Sequence, residues 1–147
     1  MTAMVSVQKI VDAPAQAIFD LLADPSMHPV LDGSGSVRAS HAGNPARLSL
    51  GATFGMDMRI AAPYTITNTV VEFDEPTLIA WRHFNGHVWR YRLEDGGDGR
   101  TRVTEQWDPT RARGQRVLRL LRFPRRNRIG MEQTLLHLAD RFADQAG

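Results

Sequence analysis

Apolar and polar residues alternate along the middle of the chain. From Gly51 onward an apolar residue occupies every second position, at Phe54, Met56, Met58 and Ile60, which is typical of a strand with one apolar face. A turn at 61–63 follows, and β-branched and aromatic runs then predict further strands over 64–73, 78–84, 88–93 and 100–107. Asn85–Gly86 and the glycine-rich 96–99 predict tight hairpins. We therefore expect an antiparallel meander.

The N-terminal region combines a strand with a short helix. Residues 4–11 have the Val and Ile content of a strand, and Asp12 and Pro14 suit the N-cap and first turn of a helix. That helix carries Ile18, Phe19, Leu21 and Leu22 and ends at Asp24–Pro25. The pattern then predicts a short irregular or helical link over 26–35, an edge strand over 36–41 and a loop over 42–50.

A long amphipathic helix is predicted at the C-terminus. Apolar residues recur there three or four positions apart, at Met131, Leu135, Leu138 and Phe142, which predicts a helix over 125–146. Pro124 would make any earlier helix kink or restart.

These elements predict one α+β domain over 1–147. About six to seven antiparallel strands would form a curved sheet, and the last helix would cover one face of it. Because side chains on a concave sheet need not reach the helix everywhere, a cavity between them is expected.

Phrases along nearly the whole chain resemble the START-like (SRPBCC) superfamily, in particular its bacterial polyketide cyclase/dehydrase and lipid-transport branch. They are VDAPAQAIFDLLADPSMHP, DGSG, ITNTVVEFDEPTLIAWRH, WRYRLE, GRTRVTEQWD and FPRRNRIGMEQTLLHLA. The resemblance implies a helix-grip fold with a hydrophobic cavity. Members carry lipids, polyketides, hormones or other apolar molecules, and some cyclise or dehydrate polyketides. No catalytic motif of the family carries over to residues of this sequence.

Composition excludes several kinds of chemistry. The 147 residues include no cysteine, which excludes disulfides, thiolate zinc sites and a cysteine nucleophile. The five histidines lack the spacing of metal ligands, and no phosphate loop or dinucleotide fingerprint is present, so neither a metal nor a cofactor is expected. Without an apolar run of membrane-spanning length or a signal-peptide core, we expect a cytoplasmic protein.

The apolar strand faces supply candidate ligand contacts, because methionine and aromatic side chains adapt to irregular apolar ligands. The alternative is that the same residues simply pack in the core. The candidates are Phe54, Met56, Met58, Tyr64, Trp81, His83, Trp89, Tyr91, Glu105, Trp107, Met131, Leu135 and Leu138.

Glu105 and His83 are the candidates for chemistry. Strict alternation places Glu105 on the face of Val103 and Trp107, and an inward carboxylate would need a partner or a raised pKa. His83 shares the face of Trp81, and the pair could orient a polar ligand group or act as base and acid. The alternative is a bulge that turns Glu105 to solvent.

His28 and Asp32 fall in the segment expected near the cavity mouth. They could gate or polarise a ligand, or they could only cap a turn. Tyr64 could offer its hydroxyl to a ligand.

An arginine-rich segment lies between Asp108 and Glu132, where no acidic residue occurs. A basic amphipathic segment could lie on an anionic membrane through Arg116, Arg119 and Arg122. It could also contact phosphate backbones, which we favour less, and the lack of an aromatic stacking platform argues against specific binding of single-stranded nucleic acid. The alternative is that the arginines form a solvated face of a helix that lies over the cavity. The sequence does not determine the oligomeric state.

Three functions therefore remain in view. The first is binding or transport of a small apolar ligand, and the second is a cyclase or dehydratase that uses His83 and Glu105. The third is membrane-surface or nucleic-acid contact through the arginine segment over 111–128.

Overall fold

The computed structural model describes residues 4–83 and 85–146, and the side chains of all of these except 118 and 144–146. Within them the strands are β1 (Val5–Val11), β2 (Val37–Ser40), β3 (Thr53–Ile60), β4 (Ala62–Asp74), β5 (Leu78–Arg82), β6 (Val88–Gly97) and β7 (Arg100–Asp108). The α-helices are α1 (Ala15–Leu22), α2 (His28–Leu31), α3 (Gln115–Leu120) and α4 (Phe123–Ala146), and a 3-10 helix spans Pro25–Met27.

The strands form one seven-stranded antiparallel sheet in the order β1-β7-β6-β5-β4-β3-β2. From β2 to β7, strands that are consecutive in sequence are neighbours in the sheet. β1 pairs with β7, so β1 and β2 form the two edges. The predicted α+β helix-grip arrangement, a curved antiparallel sheet around a long C-terminal helix, is thereby confirmed. Its predicted edge strand is β2.

The hairpins differ from prediction in their bounds. β4 begins at Ala62, so the turn between β3 and β4 consists of Ala61 alone instead of the predicted 61–63. Ala61 has a positive φ of 62°. Pro63 is tolerated inside β4 because β5 pairs with β4 only from Thr69 onward, so one edge of β4 is free at the proline. β5 ends at Arg82, and the predicted strand end at Phe84 lies outside the described residues.

The predicted N-cap role of Asp12 is wrong. α1 begins at Ala15, and its N-cap is Pro14, in an extended conformation and without a side-chain hydrogen bond. β1 continues to Val11, and the backbone N–H of Ala13 donates to the Val11 carbonyl. Asp12 and Ala13 therefore form a turn between the strand and the helix. Asp12 is therefore too early in the chain to cap the helix.

α4 closes the concave face of the sheet. Its buried residues Met131, Leu135 and Leu138 join Phe19 of α1 and Val103 of β7 in one core cluster. α4 begins two residues before the predicted start, because Pro124 fits the first turn, where no backbone N–H is needed. The separate helix α3 precedes it, so the predicted restart near Pro124 is observed.

Candidate functional site

A cavity of about 320 Å³ lies between the concave sheet face, α2 and α4. This volume falls within the usual range for small-molecule sites. Its wall consists of Leu22, His28, Leu31, Asp32, Ser34, Ser36, Val37, Met56, Met58, Ile60, Tyr64, Ile66, Asn68, Trp81, His83, Asn85, His87, Trp89, Tyr91, Glu105, Trp107, Phe123, Asn127, Gly130, Met131 and Thr134.

Strand register arranges the inward side chains in rows across the sheet. One row is Trp81, Trp89 and Trp107, which are paired residues of β5, β6 and β7 and are here called the tryptophan row. The next row, here the glutamate row, joins Ile79, Tyr91, Glu105 and Val7. Because antiparallel partners face the same side of a sheet, each row brings its side chains together on the concave face. All of the tryptophan row lines the cavity, whereas only Tyr91 and Glu105 of the glutamate row do so.

Aromatic rings cover much of this wall. The His28 ring stacks on Trp81 with ring centres 4.7 Å apart, and Trp81 lies 5.7 Å from Tyr91. Trp89 and Trp107 lie 6.4 Å apart, centre to centre. Since the chain has three tryptophans and all of them line the cavity, tryptophan fluorescence reports directly on this site.

Glu105 lies deep in the wall, with 2% of its surface exposed. The Tyr91 hydroxyl donates a hydrogen bond to its carboxyl group, while Oε1 has no partner. Burial, opposed by the Tyr91 hydrogen bond and reinforced by the negative Asp32, raises the pKa of Glu105 to about 8. The carboxyl group is therefore mainly protonated at neutral pH and can donate a hydrogen bond into the cavity.

The histidines on the wall are uncharged at neutral pH. Burial, helped by the adjacent His83, lowers the pKa of His87 to about 3. Burial also lowers the pKa of His83, although a hydrogen bond with Asn85 opposes the effect. The two rings stack with centres 4.5 Å apart. His28 has a lowered pKa for the same reason, and its Nε2 lies 2.8 Å from the Leu22 carbonyl oxygen, to which it donates.

The mouth of the cavity opens beside the N-terminal part of α4. Ser34, Ile60 and Tyr64 line the cavity and are also exposed, with 36% of Ile60 and 37% of Tyr64 accessible. Burial raises the pKa of the Tyr64 phenol, and the guanidinium of Arg126 on α4 partly offsets this. Asp32 holds the loop at this rim, because its carboxylate accepts hydrogen bonds from the backbone N–H groups of Ser34 and Val37.

Most of the predicted ligand contacts line the cavity, and three of them lie in the core instead. Phe54, Leu135 and Leu138 do not line the cavity and are buried in the core, Phe54 with its ring 5.6 Å from Trp81. His28 is placed within the aromatic wall rather than at the rim. The other predicted contacts line the cavity: Met56, Met58, Tyr64, Trp81, His83, Trp89, Tyr91, Glu105, Trp107, Met131 and Asp32.

Several polar wall residues were missed from the sequence. Asn68 has the same inward period as Ile66 and Val70 on β4, so alternation could have identified it. His87 precedes β6, and Thr134 lies on α4, where strand alternation gives no signal.

Neither a metal cluster nor a membrane-spanning helix is found in the described parts of the chain. Across 4–83 and 85–146, no three His, Asp or Glu side chains are grouped as metal ligands would be. The helices in the same ranges are too short or too polar to cross a bilayer.

A seven-stranded sheet around a C-terminal helix, with a mostly apolar cavity between them, defines a helix-grip domain. Residues 2–143 match the family described as "Polyketide cyclase / dehydrase and lipid transport". The chain therefore belongs to this family, as its sequence phrases predicted.

A curated relative is similar over most of the chain. The uncharacterized protein Rv0088 of Mycobacterium tuberculosis is 38% identical over 141 residues, which are 90% of this chain and 61% of that protein. The chain thus spans less than two thirds of this relative's length.

Solved structures of low identity share the fold. Protein Ms6760 of Mycobacterium smegmatis is similar with a TM-score of 0.73 at 16% identity, covering 97% of this chain and 92% of that one. The AHSA1-like protein of Aeromonas hydrophila has a TM-score of 0.69 at 18% identity, with 99% and 94% covered. Major latex-like protein 151 of Panax ginseng has a TM-score of 0.69 at 10% identity, with 95% and 96% covered.

Proposed function

We propose that the protein binds and carries one small, mostly apolar ligand in the cavity. The observation that carries this proposal is the wall of aromatic and methionine side chains around a cavity of about 320 Å³. Burying an apolar molecule against such a wall gains roughly 25 cal/mol for each Å² of apolar surface removed from water. The lipid or polyketide-like ligands carried by family members fit this description.

The first experiment asks whether a ligand occupies the cavity. Freshly purified protein is examined by native mass spectrometry, and bound molecules are then extracted under denaturing conditions. We expect an adduct mass, or, from protein without a ligand, a change in tryptophan emission when the neutral dye Nile red is added.

A blocking variant tests the location of binding. Met58→Trp places a larger side chain in the cavity wall, whereas Met4→Trp makes the same exchange at a residue that is 46% exposed and away from the cavity. We expect Met58→Trp to weaken Nile red binding at least tenfold and Met4→Trp to leave it unchanged. Equal binding by both variants would refute binding in this cavity.

Binding fits the geometry better than acid–base catalysis by His83 and Glu105 together. The backbone N–H of His83 donates to the backbone carbonyl of His87. His87 lies four residues before Tyr91, which pairs with Glu105 between β6 and β7. At about 3.3 Å per residue, the His83 and Glu105 backbones are thus about 13 Å apart along the strands. The two side chains can contact different parts of one ligand but are badly placed to act on one atom.

A second candidate function is contact with an anionic membrane. On α3 and just after it, Val117, Leu120 and Leu121 are 56%, 81% and 52% exposed among the arginines of the segment. Phe123 lies two residues after Leu121 and lines the cavity, so this apolar and basic corner adjoins the mouth. Such a surface would let a lipid pass between membrane and cavity.

Vesicle sedimentation tests this second function. We expect binding to vesicles with 30% phosphatidylserine and none to pure phosphatidylcholine vesicles. The triple change of Arg116, Arg119 and Arg122 to Ser should abolish vesicle binding while Nile red binding persists. Vesicle binding that survives these substitutions would exclude the arginine segment as the contact.

A further inference from the structure

Four buried polar atoms in the cavity wall have no hydrogen-bond partner. They are Oδ1 of Asn68, Nδ1 of His87, Oε1 of Glu105 and Nε1 of Trp107, and they form the complete set of such side-chain atoms among the described residues. All four side chains line the same cavity. Because an unpaired buried polar group costs about 1–3 kcal/mol, unpaired groups on side chains that line one cavity need a physical explanation.

The unpaired atoms are positioned by the sheet. Trp107 and Glu105 are two residues apart on β7 and so face the same side. The His87 ring lies 6.0 Å from the Trp107 ring, centre to centre. Asn68 lies on β4, two residues before Val70, which pairs with Trp81 of the tryptophan row. The polar atoms thus come from β4, from β7 and from the residue that precedes β6.

The hydrogen-bonding capacity of these groups is mixed. The Trp107 indole N–H can only donate, and the Asn68 carbonyl oxygen can only accept. The neutral His87 ring either donates or accepts at Nδ1 according to its tautomer. The carboxyl group of Glu105 is mainly protonated at neutral pH and can do both. A matching ligand group must therefore both accept and donate.

We propose that Glu105, Trp107, His87 and Asn68 form a recognition site for the hydroxyl or hydroxy-carbonyl end of a neutral ligand whose remaining surface is apolar. This inference rests on the proposed binding function and specifies the chemistry of its ligand. The ligand oxygen accepts from Trp107, and the ligand hydroxyl donates towards Asn68 or His87. The apolar part then lies against the methionines and the tryptophan row.

A charged ligand fits this wall less well. Among the described residues that line the cavity there is no arginine or lysine, and Asp32 adds a negative charge. A buried carboxylate would therefore lose its hydration without gaining a cationic partner. An ammonium group has only donors, so it would leave the Trp107 N–H unpaired.

The test compares ligands that share one apolar body. Naphthalene, 2-naphthol, 2-naphthoate and 2-naphthylmethylammonium are titrated into the intact protein at pH 6.5, and binding is followed by calorimetry. We expect 2-naphthol to bind at least about tenfold more tightly than naphthalene, which corresponds to one or two net hydrogen bonds. Both ions should bind more weakly than 2-naphthol.

Variants locate the preference. Trp107→Phe and Glu105→Leu should reduce the ratio of naphthol to naphthalene affinity towards one. Trp89→Phe is the matched control, because Trp89 belongs to the same row while its ring nitrogen is absent from the set of buried unpaired atoms. This control should change both affinities by a similar factor and leave the ratio intact.

The outcomes separate this proposal from the proposed function. Equal affinity of the wild type for naphthalene and 2-naphthol would overturn the recognition site while leaving apolar binding in place. Tighter binding of either ion would overturn the neutrality of the ligand. Failure of every compound, naphthalene included, would overturn both proposals. The ligand comparison uses the wild type, so it decides the matter even if a variant does not fold.

Discussion

The protonation of Glu105 predicts an unusual dependence of stability on pH. A glutamate in water has a pKa of 4.5, whereas burial in the folded protein raises the pKa of Glu105 to about 8. Between these two values the folded protein holds a proton that the unfolded chain releases. Rising pH therefore favours the unfolded state, and stability from this group is greatest below pH 4.5 and is lost as pH rises through about 8.

The size of the effect follows from the linkage relation. Each pH unit in this window changes the free energy of unfolding by at most about 1.4 kcal/mol. Over the whole interval from pH 4.5 to about 8, the upper bound is roughly 5 kcal/mol. Because small domains have only about 5–15 kcal/mol of net stability, a fraction of this bound is easily measured.

Glu105→Gln isolates this contribution. Glutamine keeps the shape and neutrality of the protonated carboxyl group and can still accept the Tyr91 hydrogen bond. The histidines His28, His83 and His87 oppose the trend, because their lowered pKa values make stability fall as pH drops below 6.5. These residues are present in both proteins, so the difference between wild type and variant cancels their contribution.

The assay is urea unfolding followed by far-ultraviolet circular dichroism at intervals from pH 5 to pH 9. We expect wild type and Glu105→Gln to be similar near pH 5 and the variant to become more stable by several kcal/mol near pH 9. Glu72→Gln is the matched control, because Arg90 lowers the pKa of Glu72 and gives no such slope above pH 5. Parallel curves for wild type and Glu105→Gln would refute the assignment of a buried, protonated carboxyl group.

Three other substitutions test different parts of the structure. Since burial lowers the pKa of His87 to about 3, His87→Asn should reduce the loss of stability between pH 7 and pH 4 by up to roughly 3 kcal/mol, measured by urea unfolding. Arg90→Met removes the paired contacts of 2.7 and 2.6 Å to Glu72 on the outer face, and thermal unfolding should show a loss of about 1–3 kcal/mol. Gly33→Ala would place a Cβ 2.4 Å from the backbone nitrogen of Thr134 on α4, so we expect a lower Tm and a loss of about 1–3 kcal/mol. If the stability measured in one of these assays does not change, the burial or the contact that the substitution tests would be contradicted.

The alternating pattern predicted the sheet well because its strands are regular where they matter. β7 pairs with β1 without interruption from Trp107 to Thr101, so the two-residue period of the sequence is preserved in space. Glu105 consequently lies on the face that alternation assigned to it. In the hairpin of β6 and β7 the register shifts between Asp95 and Gly97 of β6, near the turn. This shift does not change the side of the sheet that Glu105 faces.

The limits of the candidate site could not be predicted from periodicity. Whether a residue borders empty space or packs in the core depends on the separation of α4 from the sheet, which is a property of the assembled fold. Leu135 and Leu138 thus share a helix face with Met131, yet only Met131 lines the cavity. His87 and Asp32 reach the wall from outside the strands, where sequence spacing does not fix direction.

The cavity wall is a poor solution for stability alone. Glu105 lies opposite Val7 and on the same face as Val103, where an apolar side chain would avoid both the buried carboxyl group and its unpaired oxygen. Four unpaired polar groups at about 1–3 kcal/mol each are comparable with the net stability of a small domain. A ligand that pairs them gains back part of this energy on binding, whereas a purely apolar ligand of the same shape leaves it unrecovered. We therefore expect the same residues to give both selectivity for an oxygenated ligand and a lower stability of the empty protein. The ligand that raises Tm most should then also be the one that pairs these atoms.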